Sequence, residues 1–420
     1  MFGVDTPEPR LRARDPRRRR RRRLGRRLSA PLGVLLVLVL LAGGIWLGGH
    51  PEYLPNPVRD TLVSDDDSAI YDEAADIIQE DYYRKVDRKQ LLNKALGSAV
   101  ESLDDRFSAY FNPKEYRSFN EQTQGAFEGV GMNVEEVPRG LRVLTVFKGS
   151  PAEKGGVKPG DEIIAVNGRT LRGASSEQAT TRIKGRAGTA VTLTVVSGKE
   201  KPREVELKRA RVDVPVVESR MKRSGDEKVA YVKLASFTSG AHGAVGKAVR
   251  GLVAKGAKSV VLDLRDNGGG LLNEAVLVSS IFIPEGKIVT TRGRSRPERV
   301  FEATGGSIST KIPVAVLVND QSASASEIVT GALQDRDRAT VVGTRTFGKG
   351  VFQEIKQLSN GGALDITVGE YFTPSGKNLG GGGPKKGAGI TPDVKAEDNE
   401  KTKRDEGLDA AVKTVARGQA

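Results

Sequence analysis

Between Lys228 and Gly343, short runs of buried-type residues alternate with helical patterns, and few architectures admit that alternation. The runs are Val229-Ala-Tyr-Val-Lys-Leu234, Ser259-Val-Val-Leu-Asp-Leu264, Pro313-Val-Ala-Val-Leu-Val318 and Ala339-Thr-Val-Val-Gly343. Helical spacing occupies Gly243 to Ala254, Leu272 to Ile281 and Ser324 to Asp335. Strands this apolar need cover on both faces, which crossover helices supply. The stretch is expected to form an α/β layer with substantial parallel pairing, its sites lying where strands run into turns at their carboxyl ends.

The chain has 420 residues. Single cores stop growing near roughly 250–300 residues, so an α/β multi-domain protein is expected. From Gly125 to about Val212 the pattern is of short strands, among them Met132-Asn-Val134, Arg142 to Phe147, Glu162 to Val166, Val191 to Val196 and Arg203 to Leu207. Gly, Pro and Asn separate them, and helical stretches interrupt at Ser150 to Gly155 and Ser175 to Lys184. This reads as a compact β-rich domain over 125–212, ahead of an α/β core over 213–395. Before it, 68–124 reads as helical, with Ser68 as a cap and apolar spacing at Ile70, Ala74, Ile77 and Ile78. Residues 50–67, with three prolines and an acidic run, read as a linker. The tail 396–420 is charged and reads as one helix plus disorder.

Residues 1–29 hold twelve arginines against Asp5, Glu8 and Asp15, so +9 of the net charge of +14 lies there. No charge falls between Leu28 and Gly49. About 20 apolar residues span a bilayer as a helix, and flanking arginines keep their side in the cytoplasm. The basic run is thus read as a topology signal rather than a nucleic-acid arm, and no nucleic-acid partner is expected. A cleaved signal peptide is the alternative, but no clear A-x-A site follows and the apolar run is long for one. The expectation is an uncleaved transmembrane helix over 30–49, a cytoplasmic tail over 1–29 and an exported remainder.

Composition then narrows the chemistry. There is no Cys, which removes thiol nucleophiles, disulfides and Cys-based metal sites. The two histidines, His50 and His242, lie far apart, so a multi-His metal site is not available. Acid–base chemistry at neutral pH must come mainly from Lys, Asp or Glu.

Two segments can carry such chemistry. Asp320-Gln-Ser-Ala-Ser-Ala-Ser326 follows a strand and opens a helix. Small residues there let a Ser hydroxyl stand at a helix N-terminus, whose N–H groups can stabilise an oxyanion. Taken alone, Ser322, Ser324 and Ser326 read as caps and small packing residues. Thr346-Phe-Gly-Lys-Gly350 places a lysine between glycines, and burial would make its amine a usable base. On its own it is a solvated turn lysine. Leu262-Asp-Leu-Arg-Asp-Asn-Gly-Gly-Gly270 is another strand entering a glycine turn, able to offer a second oxyanion donor. Gly343 to Lys349 fits G-x-x-x-x-G-K, the start of a phosphate-binding loop. Gly350 stands where that loop needs Ser or Thr, and Val351 to Ile355 looks extended rather than helical. An S-x-x-K at Ser219 to Lys222 lies in a polar connector without companion motifs and is read as chance.

The motifs taken together resemble the C-terminal processing peptidases, or tail-specific proteases. The match runs from Leu103-Asp-Asp-Arg-Phe-Ser108 through Gly129-Val-Gly-Met132 and Lys158 to Gly168. It continues with Leu262 to Gly270, Ser322-Ala-Ser-Ala-Ser-Glu-Ile328, Thr346 to Gly350, Tyr371-Phe-Thr-Pro-Ser-Gly376 and Gly389-Ile-Thr-Pro-Asp-Val394. It covers about residues 70–395, in the family's order.

The resemblance implies a serine endopeptidase with Ser324 as nucleophile, Lys349 as general base and Gln353 orienting the amine. It implies Asp335 in a supporting role, and oxyanion donors at Ala325 and at Gly269 or Gly270. It implies that 125–212 is a PDZ domain, which binds an extended peptide as an added strand and holds its terminal carboxylate. Gly129, Val130, Gly131 and Met132 would form the carboxylate loop. In some members an Arg just after the second PDZ helix relays peptide binding to the active site. Lys184 stands there, keeping the charge without the bidentate fork, and Arg186 is the alternative.

The expected partners are exported proteins or peptides with free, apolar C-termini. A second copy of the chain and an activating adaptor are carried as further partners, with the helical region and the charged tail as assembly elements. No cofactor or metal is implied. The catalytic part is expected outside the plasma membrane. An inactive PDZ scaffold and a nucleotide-binding protein are the competing functions; intact Ser324, Lys349 and Gln353 argue against the first and Gly350 against the second.

Overall fold

The computed structural model describes residues 37–44, 46, 66–384, 387–399 and 401–416. The chain divides into two compact units, residues 1–92 and 93–420. In the first, residues 37–44 and 46 are helical; the rest of the apolar run 30–49, the basic tail 1–29 and most of the linker 50–67 lie outside the described residues. Among the described residues, no helix is long and apolar enough to cross a membrane. The helix Asp66–Asp81 starts two residues before the expected cap at Ser68. Its Asp72 pairs with Arg88 at 2.6 Å, and its Asp76 pairs with the same guanidinium.

In the second unit the apolar runs form one six-stranded sheet. Glu227–Leu234, Ser259–Asp263, Val314–Val318, Thr340–Gly343 and Val394–Lys395 are parallel. The middle strands, Ser259–Asp263 and Val314–Val318, are buried at every residue, which is why their sequences carry no alternation. The helices Ala241–Ala254, Leu272–Ser280 and Ala325–Asp335 share a core with one face of this sheet, through residues such as Val232, Leu262 and Val316. The edge strand Val217–Ser224 runs antiparallel and contains Ser219 to Lys222, which is therefore strand and not connector.

The other face of this sheet carries the helix expected in the tail. Residues 406–416 form a helix whose Leu408, Ala411, Val412 and Val415 pack against Val229, Tyr231, Val261, Ala315, Leu317 and Val342. Their i, i+3, i+4, i+7 spacing makes an apolar stripe on an otherwise polar helix. Arg265 anchors the segment, donating to Asp398 and Asp405 at 2.8 Å each while also bonding Asp263. The helix thus belongs to the core of its own chain.

A second, five-stranded antiparallel sheet lies outside the pattern that the sequence shows. It joins Ala109–Phe111, Lys287–Gly293, Arg296–Glu302, Val351–Gln357 and Ala363–Phe372. Gly350 leads into the strand Val351–Gln357 rather than into a helix, so the G-x-x-x-x-G-K stretch does not build a phosphate-binding loop.

The β-rich domain has a core of its own around Leu141, Ile163, Leu171 and Leu193. The antiparallel pair Ala126–Gly129 and Ala210–Asp213 brings its two ends together. Immediately before it, Asn112 caps the helix Pro113–Gln124, and Gly125, at φ 62°, ends it.

Candidate active site

The turn after Val314–Val318 is held from below by two of its three serines. Ser322 Oγ donates to Leu264 O and Ser326 Oγ to Asn267 O, both at 2.8 Å, and both serines are fully buried. Ser324, between them, caps the helix Ala325–Asp335 with φ 56° and ψ −114°. A side-chain-bearing residue holds that conformation only where its surroundings impose it. The result is that Ser324 lines a cavity of about 420 Å³ together with Ala325, Gly270, Lys349, Gln353 and Asp365.

The Leu264 to Gly270 turn closes against this serine. A Cβ on Gly269, at φ 108°, would lie 2.9 Å from Ser324 Cβ and 3.0 Å from Ala325 N, so the approach needs glycine. Asn267 braces the turn by donating to Leu234 O and accepting the Gly269 N–H at 2.9 Å. That N–H is therefore occupied. Gly270 bridges Phe237 in parallel fashion through Gly269 O and Leu271 N, which leaves its own N–H pointing away from Phe237. Of the two glycines named from the sequence, Gly270 is the one that lines the cavity with Ala325.

Lys349 lies on the other side of the cavity. Its N–H donates to Glu327 Oε2 at 2.9 Å, its carbonyl accepts from the Tyr371 hydroxyl, and its Nζ donates to Gln353 Oε1 at 2.7 Å. The Phe107 ring centroid is 4.7 Å from Nζ. Burial holds the amine below the ordinary lysine range, against the pull of Asp365, Asp105 and Glu327. Burial also raises the Asp365 carboxyl to about 6, with Lys349 lowering it and Asp105 adding to the rise.

The structure brings together Ser324, Ala325, Gly270, Lys349 and Gln353. Asp335 is elsewhere: it ends the helix that Ser324 starts, about 15 Å away along the axis at 1.5 Å per residue. Its carboxylate accepts from Ser375 N–H at 2.9 Å and so holds the Thr373 to Gly376 turn. Glu327, Thr367, Tyr371, Asp365 and the Asp105 to Ser108 segment were given no role from sequence. Glu327 reads as an ordinary first-turn carboxylate, Asp365, Thr367 and Tyr371 belong to the sheet that the pattern did not show, and Asp105 to Ser108 leads into its strand Ala109–Phe111.

A second groove, of about 340 Å³, lies in the β-rich domain, lined by Phe127, Val130, Gly131, Met132, Ile183 and Val214 among others. Gly131 is at φ 84°, and a Cβ there would come 2.4 Å from that of Ser150. Gly129 ends the strand just before it. Lys184 Nζ pairs with Glu121 Oε2 at 2.6 Å and stands 5.2 Å from the Phe127 ring centroid. Glu121 belongs to Pro113–Gln124, the helix whose Tyr116, Phe119, Asn120 and Thr123 line the first cavity. Arg186 is exposed, and its carbonyl accepts from Thr189.

The turn that presents Ser324 and the groove of the β-rich domain lie in two segments that known families match. Residues 120–196 match the PDZ domain and residues 228–396 match peptidase family S41. The carboxy-terminal processing protease CtpA of Bacillus subtilis (strain 168) is 36% identical over 326 residues, covering 77% of this chain and 68% of that one. A probable CtpA-like serine protease of Staphylococcus aureus (strain COL) is 36% identical over 320 residues, covering 76% of this chain and 62% of that protein. A solved photosystem II D1 C-terminal processing protease is 28% identical, covering 84% of this chain and 99% of that one, with a TM-score of 0.48. The chain belongs to peptidase family S41, among the C-terminal processing serine proteases that carry a PDZ domain.

Proposed function

We propose that this protease is a membrane-anchored endopeptidase that takes exported proteins by their C-terminal tails and cuts them with a Ser-Lys centre. The observation that carries the reading is the desolvated amine of Lys349, hydrogen-bonded to Gln353, on the wall of the cavity that Ser324 enters. Burial favours the neutral amine, the form able to accept a proton.

In the reaction, neutral Lys349 takes the Ser324 Oγ proton as Oγ attacks the scissile carbonyl. The oxyanion lies against the N–H groups of Ala325 and Gly270. Collapse breaks the C–N bond, and the Lys349 ammonium returns its proton to the departing amine. Water, deprotonated by Lys349, then attacks the ester, releasing the new C-terminal acid and restoring Ser324. Gln353 orients the amine, and Asp335 supports the turn beyond the helix.

The loop Gly129 to Met132 receives the substrate carboxylate, and the apolar groove beside it suits an apolar last residue. The uncharged run 28–49 behind the arginine cluster supports the anchor, with the peptidase outside the plasma membrane.

Two experiments test this. Peptides ending in an apolar residue are cleaved as free acids and poorly as C-terminal amides; equal rates would contradict the tail-binding role. Because the chain has no Cys, a single Ser64→Cys reports topology. It labels with a membrane-impermeant maleimide on intact cells; labelling only after permeabilisation would contradict an exported catalytic part.

A further inference from the structure

A line of hydrogen bonds leads away from the proposed base. Lys349 Nζ donates to Gln353 Oε1 at 2.7 Å, and Gln353 Nε2 donates to Thr367 Oγ1 at 2.8 Å. Thr367 N–H then donates to Ser108 Oγ at 3.0 Å, and Ser108 Oγ donates to Asp105 Oδ2 at 2.6 Å. Gln353 and Thr367 face each other on paired antiparallel strands, next to a bulge between Phe352 and Gln353. The last two partners come from the segment ahead of the PDZ domain.

A glutamine amide has two ends of nearly equal shape, one accepting and the other donating. Turned over, it would set Nε2 against Nζ, donor against donor whenever the amine carries its proton. The far end donates to the Thr367 hydroxyl, which itself hydrogen-bonds the Asp105 carboxylate and is thereby held as an acceptor toward Gln353.

We propose that Thr367 is a positioning residue of this protease: its hydroxyl, on a strand residue whose backbone N–H is held by Ser108, keeps the Gln353 amide oxygen turned toward Lys349. The inference rests on the Ser-Lys reading above. A fixed acceptor limits rotation of the amine. It also favours the ammonium over the amine, because a hydrogen bond to the charged donor is the stronger. Losing it lowers the affinity of Lys349 for protons, while Asp365, Asp105 and Glu327 continue to face the same amine.

The test uses the full chain with Thr367→Val, Thr367→Ser, Ser108→Ala and Lys349→Ala, measuring kcat and KM across pH with melting as the check on folding. Thr367→Val lowers kcat about tenfold at unchanged KM and moves the acid limb of the profile to lower pH. Thr367→Ser, which keeps the hydroxyl, stays within about threefold of wild type. Ser108→Ala moves the limb the same way by less, and carries the test where Thr367→Val does not fold. A folded Thr367→Val or Ser108→Ala with the wild-type kcat and limb, beside an inactive Lys349→Ala, overturns the inference. Cleavage that survives in Lys349→Ala overturns the Ser-Lys reading itself.

Discussion

Ser324 and Lys349, 25 positions apart, give their backbone N–H groups to one atom, Glu327 Oε2, at 3.0 and 2.9 Å. The other oxygen accepts from Thr346 Oγ1 at 2.6 Å and from Gly348 N–H at 2.7 Å. A single fully buried carboxylate therefore clamps the Ser324 turn to the Lys349 loop. Burial pushes this carboxyl above its ordinary range, against the hydrogen bonds from Thr346, Lys349, Gly348 and Ser324.

Glu327→Gln keeps the volume but turns an NH2 group toward N–H donors. Leaving buried donors unpaired costs about 1–3 kcal/mol each. The expected loss is about 2–4 kcal/mol in denaturant melts, with kcat down at least about tenfold in the folded fraction. Wild-type stability would contradict the clamp.

Asp365→Asn acts through charge. The Asp365 carboxylate raises the proton affinity of Lys349, so its removal moves the acid limb of the activity profile to lower pH. Stability gives a second sign. The folded-state value of about 6 lies above the unfolded one, which is roughly 3.9. The contribution of Asp365 is therefore full below about pH 4 and is lost as pH rises through about 6. The Asn variant melts higher than wild type above that range and no higher at low pH.

Leu408→Ala tests the C-terminal helix. Leu408 is 2% exposed among Val229, Tyr231 and Leu317. Truncation of such a leucine costs about 2–5 kcal/mol. Chemical melts should show that loss while the folded fraction keeps its kcat; a loss below about 0.5 kcal/mol would show the helix to be dispensable cover.

What the sequence made legible follows from how strongly each element is buried. Strands such as Ser259–Asp263 and Val314–Val318, apolar throughout, identify themselves, and the Ser324 turn follows from where Val318 ends. Val217–Ser224 carries six charged or hydroxyl side chains among its eight residues and none of the eight is buried, so nothing in it alternates. The hairpin Lys287–Gly293 with Arg296–Glu302 is broken by register shifts that erase the period-two signal. Gln353 came from the family resemblance, but Thr367 and Ser108 meet it only through strand pairing, which one sequence does not encode locally. The stripe Leu408, Ala411, Val412 and Val415 has helical spacing, but charged neighbours dominate the composition of its segment.

Lys184→Ala removes an exposed pair with Glu121, so stability changes by less than about 1 kcal/mol. If this pair passes peptide binding from the PDZ helix to the helix lining the active-site cavity, tailed substrates lose rate while short untailed peptides do not. An equal effect on both would leave Lys184 no part in the relay.

The most direct measurement of the central claim is the fate of a loosely folded substrate with a free apolar C-terminus, followed by mass spectrometry. It is incubated with the wild-type chain, Ser324→Ala and Lys349→Ala under identical conditions. The account predicts new C-termini with wild type alone, while both variants still bind the tail. Cleavage by either variant would contradict a Ser324–Lys349 centre, and tail binding without cleavage by any of the three would make the chain a PDZ scaffold.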